Sequence, residues 1–247
     1  MEMVRLENVH FQYDDIPLLR DVTLSIEEGD FWGIVGPNGS AKSTLLKLML
    51  GLLKPLNGRV FLLGTPVTRF HNWSQIGYIP QNVRDFNAGF PATVYEMISA
   101  NLISQMGLIK RMTPALKARV EEALDIVGMK EYGLKRIGQL SGGQQQRVFI
   151  ARTLVNSPKI IFMDEPLVGV DVDSQEKFYQ LMEKLNHEMG ITLVMVSHDI
   201  GVVSERTSRI ACMGKRRVFV HDASCFNPEM YLESMYGEKT KLMHHRH

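Results

Sequence analysis

Apolar positions fall into two rhythms along this chain, one of short strands and one of helices. β-type runs cover residues 3–11, 21–26 and 31–35, separated by the turn-forming Asp14-Asp15 and Glu27-Glu28-Gly29-Asp30. The third run is wholly apolar and leads straight into a glycine-rich loop. Leu45, Leu46, Leu48, Met49 and Leu52 then recur at a spacing that predicts a buried helix over 43–52, closed by Gly51 or by Lys54-Pro55. After further β-type runs at 59–63 and 75–79, the rhythm turns helical from Thr93. Thr93-Val94-Tyr95-Glu96 reads as a capping box. Thr113-Pro114 opens another helix, because proline at the first helical position forfeits only a donor that has no partner anyway. That helix runs to Val127 and stops at Gly128.

Strand and helix alternate again beyond this stretch: a helix over 142–156, a buried strand over 159–163, a helix over 172–189 closed by Gly190, and a buried strand over 191–197. Two short strands follow within 209–220. The pattern predicts an α/β fold with a mostly parallel, wrapped sheet. It divides into one domain over 1–226, made of a core (1–83 and 141–226) with an inserted helical lobe (84–140), and a polar, Met-rich tail over 227–247, expected to form a short helix and then fray.

Composition narrows the function classes. At 247 residues and 45% apolar content the chain can build a sizeable core, and a net charge of +1 supplies no global field toward nucleic acid or an anionic bilayer. Two cysteines, Cys212 and Cys225, give no disulfide or zinc-ribbon framework, so a reduced cytoplasmic setting is the default. The first eight residues alternate polar and apolar instead of opening with a basic segment and an apolar run, so no secretory leader is expected. No run of about 18 apolar residues is present to span a membrane.

The loop Gly36-Pro37-Asn38-Gly39-Ser40-Ala41-Lys42-Ser43-Thr44 stands between a predicted strand and a predicted helix, the context that a nucleotide phosphate cradle requires. Backbone N–H groups at a helix N-terminus can surround a triphosphate without bulky side chains in the way. Lys42 is then expected against the β and γ phosphates and Ser43 on Mg²⁺. Ala41 occupies the place where this motif normally has its last glycine. If that position needs φ > 0 the methyl costs about 1 kcal/mol or more, and if it is already helical alanine is tolerated; tolerance is the expectation.

Ile160-Ile161-Phe162-Met163-Asp164-Glu165-Pro166 delivers two carboxylates at the end of an apolar strand. Asp164 is suited to hold a Mg²⁺-bound water, and Glu165 to polarise the water that attacks the γ phosphate. A second apolar strand ends in Ser197-His198-Asp199, where His198 is placed to hydrogen-bond the phosphate and the attacking water. Gln81, at the junction between core and helical lobe, is a candidate ligand for Mg²⁺ or water and a reporter of occupancy to the lobe. Tyr13 is the candidate for stacking on adenine, with Phe11 its rival.

A second glycine motif, Leu140-Ser141-Gly142-Gly143-Gln144-Gln145-Gln146-Arg147, lies about a hundred residues after the first. It opens a helix, and its hydroxyl and amide groups make another anion-ready N-terminus. With the helical lobe projecting from the core, the economical arrangement is an antiparallel homodimer that sandwiches two ATP molecules. Each ATP is held by Lys42 of one chain and by Ser141, Gly143 and Gln144 of the other.

With the phosphate loop, Gln81, residues 140–147, Asp164-Glu165, Asp171 and His198 in that order, the chain resembles the ATP-binding cassette subunits of membrane transporters over roughly residues 3–220. The resemblance implies a P-loop NTPase (RecA-like) core with an antiparallel β lobe and a helical lobe, and ATP hydrolysis with Mg²⁺. It also implies separate transmembrane permease subunits, and a place on the cytoplasmic face of the membrane as a peripheral subunit. It puts Asp171 in a loop that crosses the dimer interface, although Val168-Gly169-Val170 there departs from the usual Ser-Ala-Leu. Residues 85–96 look like the corresponding stretch of bacterial zinc and manganese uptake cassettes, the zinc importers particularly. Uptake of a divalent metal, together with an extracytoplasmic metal-binding protein, is what this likeness implies. Manganese or another metal or chelate is the alternative cargo. The terminal His244, His245 and His247 read as a tail rather than a metal site. A soluble cassette acting on DNA or ribosomes fits poorly, because the interval from Gln81 to Ser141 is short and lacks heptads, and the neutral charge predicts no nucleic-acid partner.

Overall fold

The computed structural model describes residues 1–81, 90–106 and 111–231. The elements are, in chain order, strands β1 (Glu2–Tyr13), β2 (Ile16–Glu27) and β3 (Phe31–Val35), helix α1 (Lys42–Met49), and strands β4 (Asn57–Leu62), β5 (Thr65–Pro66) and β6 (Ile76–Ile79). Helices α2 (Val94–Ser99), α3 (Pro114–Ile126) and α4 (Gly142–Leu154) come next, then β7 (Ile160–Asp164), α5 (Val172–Glu183), β8 (Thr192–Ser197), α6 (Ile200–Arg206), β9 (Arg209–Gly214) and β10 (Arg217–Asp222). Short 3₁₀ turns connect several of them. The chain forms two compact units, Met1–Arg69 with Val196–His247, and Phe70–Met195, so that β8 begins in the second and ends in the first.

In the first unit, β1 pairs antiparallel with β2 through a two-residue turn and with β4 on its other side. Asp14 turns this hairpin at φ 47°, a conformation that short polar side chains adopt more readily than bulky ones. Val22, Leu24 and Ile26 of β2 are buried while their neighbours in sequence face outward, the period of two for a sheet covered on one side; β1 buries Met3, Val4, Leu6 and Val9, its alternation broken by a register shift between Leu6 and Val9. Burying each such side chain contributes about 1.5–3 kcal/mol. A second group of strands has β9 between parallel β3 and antiparallel β10. Helix α6 packs on β3, and a methyl at Gly33 would overlap the Val203 side chain, so glycine lets that helix come close. The sequence pattern gave no sign of α6, whose seven residues are capped by Asp199 accepting from the Val202 N–H at 3.1 Å.

In the second unit, β7 lies between β6 and β8, and its pairing with β6 is parallel, Tyr78 opposite Phe162. All five residues of β7 are buried, as in strands covered on both faces. Helices α2 and α3 both pack on α4, and α4 on β6. The predicted starts are found: Thr93 and Glu96 form a full capping box, and Thr113 caps α3 with Pro114 in its first turn. The helix expected to reach residue 189 ends its regular turns at Glu183 and continues as a π turn over Lys184–Glu188. The buried Asn186 amide there donates to the Ile191 carbonyl at 2.9 Å, joining that turn to the lead into β8. Among the described residues, no helix is long and apolar enough to cross a membrane.

Candidate active site

The chain leaves β3 at Gly36, where a methyl would come within 2.6 Å of the Met213 carbonyl oxygen and 2.8 Å of Ser40 Oγ. Lys42 opens α1 and is only 5% exposed, with Nζ donating to the carbonyls of Gly36 at 2.9 Å and Pro37 at 3.1 Å. The ammonium is thus folded over the loop's own carbonyls. Ser40 Oγ is buried without a hydrogen-bond partner. An unsatisfied hydroxyl of this kind costs about 1–3 kcal/mol, and a phosphate oxygen received by the loop would satisfy it. Asn38, Gly39, Ser43 and Thr44 complete the loop and the first turn of α1, so residues 36–44 fit an anion at a helix N-terminus.

Of the two conformations open to Ala41, the structure has the one with positive φ. It lies just outside α1 at φ 72° and ψ 26°, in the left-handed region, with no side-chain cap. The loop must reverse here before the first helical turn, and an alanine does so at a cost of about 1–2 kcal/mol relative to glycine.

Also in the first unit, Tyr13 ends β1 half exposed, its ring edge-on to the buried Phe11 at 4.9 Å between centroids. Phe11 is thereby a core residue, and Tyr13 is the one of the two with a free face. His198 is exposed just after β8, in the turn where Ser197 Oγ accepts from the Asp199 N–H at 3.1 Å.

The second unit brings Gln81, Asp164 and Glu165 together. Asp164 ends β7 and is 5% exposed. Burial, and after it the charge of Asp164, raises the pKa of the Tyr78 hydroxyl on the neighbouring strand above its ordinary value of 10.0. A buried carboxylate with such a field suits a cation. Glu165 follows at φ 48°, and its Oε2 accepts from Gln81 Nε2 at 3.2 Å. The described part of the segment likened to zinc uptake cassettes begins at Phe90; residues 82–89, and the terminal His244, His245 and His247, lie outside the described residues.

Ser141 caps α4 in a reciprocal box: its Oγ accepts from the Gln144 N–H at 3.4 Å, and Gln144 Oε1 accepts from the Ser141 N–H at 3.0 Å. Gly143 abuts α5, where a methyl would meet Ser174 Oγ at 2.9 Å. Asp171 caps α5 by accepting from the Ser174 N–H at 2.9 Å, and hydrogen bonds from the Ser174 side chain and then its backbone hold the Asp171 carboxyl below its usual range. Sequence reasoning missed two residues here. One is Ser174. The other is Gln146, 2% exposed, whose Nε2 donates to the Pro166 carbonyl at 2.8 Å. A legible signal existed for the second: Gln146 is in phase with Ile150 and Leu154 on the buried side of α4, where a polar residue needs a reason.

Residues 19–168 match the family described as ABC transporter, a span that takes in the phosphate loop, Gln81, residues 140–147 and the two carboxylates. The chain is 41% identical over 231 residues to the zinc uptake system ATP-binding protein ZurA of Listeria innocua, covering 94% of this chain and 89% of that protein. It is 37% identical over 241 residues to the manganese transport system ATP-binding protein MntB of Bacillus subtilis, covering 97% and 94%. Among solved structures, a dimeric ATP-binding cassette in a post-hydrolysis state with ADP and phosphate superposes with a TM-score of 0.74 at 33% identity, covering 91% of this chain and 100% of that one. The chain therefore belongs to the ABC transporter family, and within it to the ATP-binding, ATP-hydrolysing subunits.

Proposed function

We propose that this chain hydrolyses ATP with Mg²⁺ to drive uptake of a divalent metal ion, zinc, through separate membrane-spanning permease subunits. It works as a homodimer at the cytoplasmic face of the membrane, and an extracytoplasmic metal-binding protein delivers the cargo. The observation that carries the cargo is the 41% identity, over nearly the whole chain, to a protein named for zinc uptake. Manganese is the second reading, favoured by the manganese relative that aligns over 97% of the chain.

In this reading residues 36–44 receive the phosphates, with Lys42 moving from the Gly36 and Pro37 carbonyls to the anion. Tyr13 stacks on adenine. Ser43, Gln81 and Asp164 would be the residues to hold Mg²⁺, which would supply neutralisation of the phosphate charge. Glu165 polarises the attacking water, and His198 hydrogen-bonds the γ phosphate. Ser141, Gly143 and Gln144 offer the α4 N-terminus to the ATP of the partner chain. Closure is driven by ATP because the closed dimer binds it better than the open one does. The helical lobe, residues 84–140, passes the change to the permease.

Replacing Glu165 with Gln tests the chemistry: ATP binding and ATP-dependent dimerisation persist while turnover is lost, and normal hydrolysis by the variant would remove Glu165 from the mechanism. Cargo is tested by deleting the gene and starving cells of metal. Rescue of growth by zinc alone supports zinc, and rescue by manganese alone supports the second reading.

A further inference from the structure

Glu165 holds a conformation that its own sequence does not favour. At φ 48° it is a non-glycine residue in the left-handed region, a state that persists only where the surroundings over-determine it. Before it, Asp164 is the last, buried residue of β7. After it, the backbone bond from the Val168 N–H to the Glu165 carbonyl is long, at 3.4 Å. A firmer hold on this side is the 2.8 Å bond from Gln146 Nε2 to the Pro166 carbonyl. Both partners of that bond are buried, so water cannot replace it.

Gln146 belongs to α4, the helix whose first turn carries Ser141 and Gly143. We propose that Gln146 is a positioning residue for Glu165: its side-chain amide ties the Pro166 carbonyl to α4, so that the placement of the carboxylate follows the helix. The inference rests on the reading of Glu165 as the group that polarises water and of the α4 N-terminus as the part that meets the partner's ATP. It adds a coupling within one chain between the two halves of the split site. When α4 seats on the partner's nucleotide, the carboxylate that serves the chain's own nucleotide is set at the same time. An amide suits this task because it donates at every pH, whereas a carboxyl at the same place donates only when protonated.

The test is steady-state ATPase activity of the purified full chain from pH 6 to 8.5, with ATP binding and melting temperature measured alongside. Gln146→Met keeps the volume and removes the donor; we expect kcat to fall at least tenfold with KM for ATP within twofold of wild type. Gln146→Glu is expected to lose as much at pH 8.5. Toward pH 6 its activity relative to wild type recovers several-fold, because burial favours the neutral carboxyl, which regains the donor. A role in stability alone predicts no such recovery. Wild-type kcat in Gln146→Met, or a Gln146→Glu ratio flat across pH, overturns the proposal. If Gln146→Met does not fold, the pH response of Gln146→Glu decides by itself. Glu165→Gln serves as the control that separates the two readings. If it turns over normally, the reading of Glu165 fails. If it is inactive while Gln146→Met is normal, only the coupling fails.

Discussion

Gln81 Nε2 donates to Glu165 Oε2 at 3.2 Å, so the side chain just after β6 is bonded directly to the carboxylate just after β7. The amide fixes the direction of the carboxylate proposed to polarise the attacking water. Gln81→Ala removes this bond and is expected to lower kcat by roughly tenfold or more through misplacement of the carboxylate. Wild-type kcat in Gln81→Ala would separate Gln81 from the placement of Glu165.

Ala41 at φ 72° predicts that its replacement by glycine stabilises the protein, against the usual direction. Removing the methyl relieves about 1–2 kcal/mol in the left-handed region. The extra freedom of glycine in the unfolded chain returns about 0.4–1 kcal/mol of that. Ala41→Gly is therefore expected to gain roughly 0.5–1 kcal/mol in urea unfolding, and Ala41→Val to lose more than roughly 1 kcal/mol, since a β-branched side chain fits that region least. A loss on Ala41→Gly would mean that the loop does not hold this conformation.

The same residue shows where the sequence was a sufficient guide and where it was not. Helix starts were legible because their signals are local: Thr93 with Glu96, Thr113 before Pro114, and Ser141 before two glycines each place an oxygen next to orphan N–H groups. The apolar strands ending at Val35, Asp164 and Ser197 were legible because burial on both faces leaves no other composition. A backbone angle at one alanine leaves no trace in a pattern of polarity, and so the sequence could not choose between the two conformations open to Ala41. Helix α6 was overlooked because Gly201 and two valines in seven residues make a poor helix by propensity; its Asp199 cap and its packing on β3 hold it. Gln146 and Ser174 were missed because each matters through a partner distant in sequence, Pro166 and Gly143.

Gly143 has a packing role that any test of its function must separate out. A methyl at position 143 would lie 2.9 Å from Ser174 Oγ and 3.3 Å from Ser174 Cβ, so Gly143→Ala makes the Ser174 hydroxyl turn away and its Cβ give by a few tenths of an ångström. Overpacking of this kind costs about 1–3 kcal/mol. Ser174→Gly removes the obstacle and is expected to recover part of that loss in the double variant, a coupling that a denaturation cycle over the four proteins measures directly. Purely additive losses would show that the two helices do not meet there. ATP-dependent dimerisation of the double variant then reports on the α4 N-terminus with the clash removed.

The capping box of α2 gives a stability that depends on pH. Glu96 Oε2 accepts from both the N–H and the Oγ1 of Thr93 at 2.8 Å, and these bonds, the backbone one foremost, hold its carboxyl below the ordinary value of 4.5. A carboxyl whose folded pKa lies below its unfolded one contributes stability that is present above the unfolded value. That contribution disappears as the pH falls through the folded value. Glu96→Gln keeps a side chain able to cap but removes the charge, together with its favourable interaction at the helix N-terminus. The melting temperature of wild type is therefore expected to exceed that of Glu96→Gln at pH 7, with the gap unchanged down to about pH 5 and closing below 4.5. A gap that is constant from pH 7 into the acid range would assign the stabilisation to the neutral hydrogen bonds and leave the charge of Glu96 without effect on the helix.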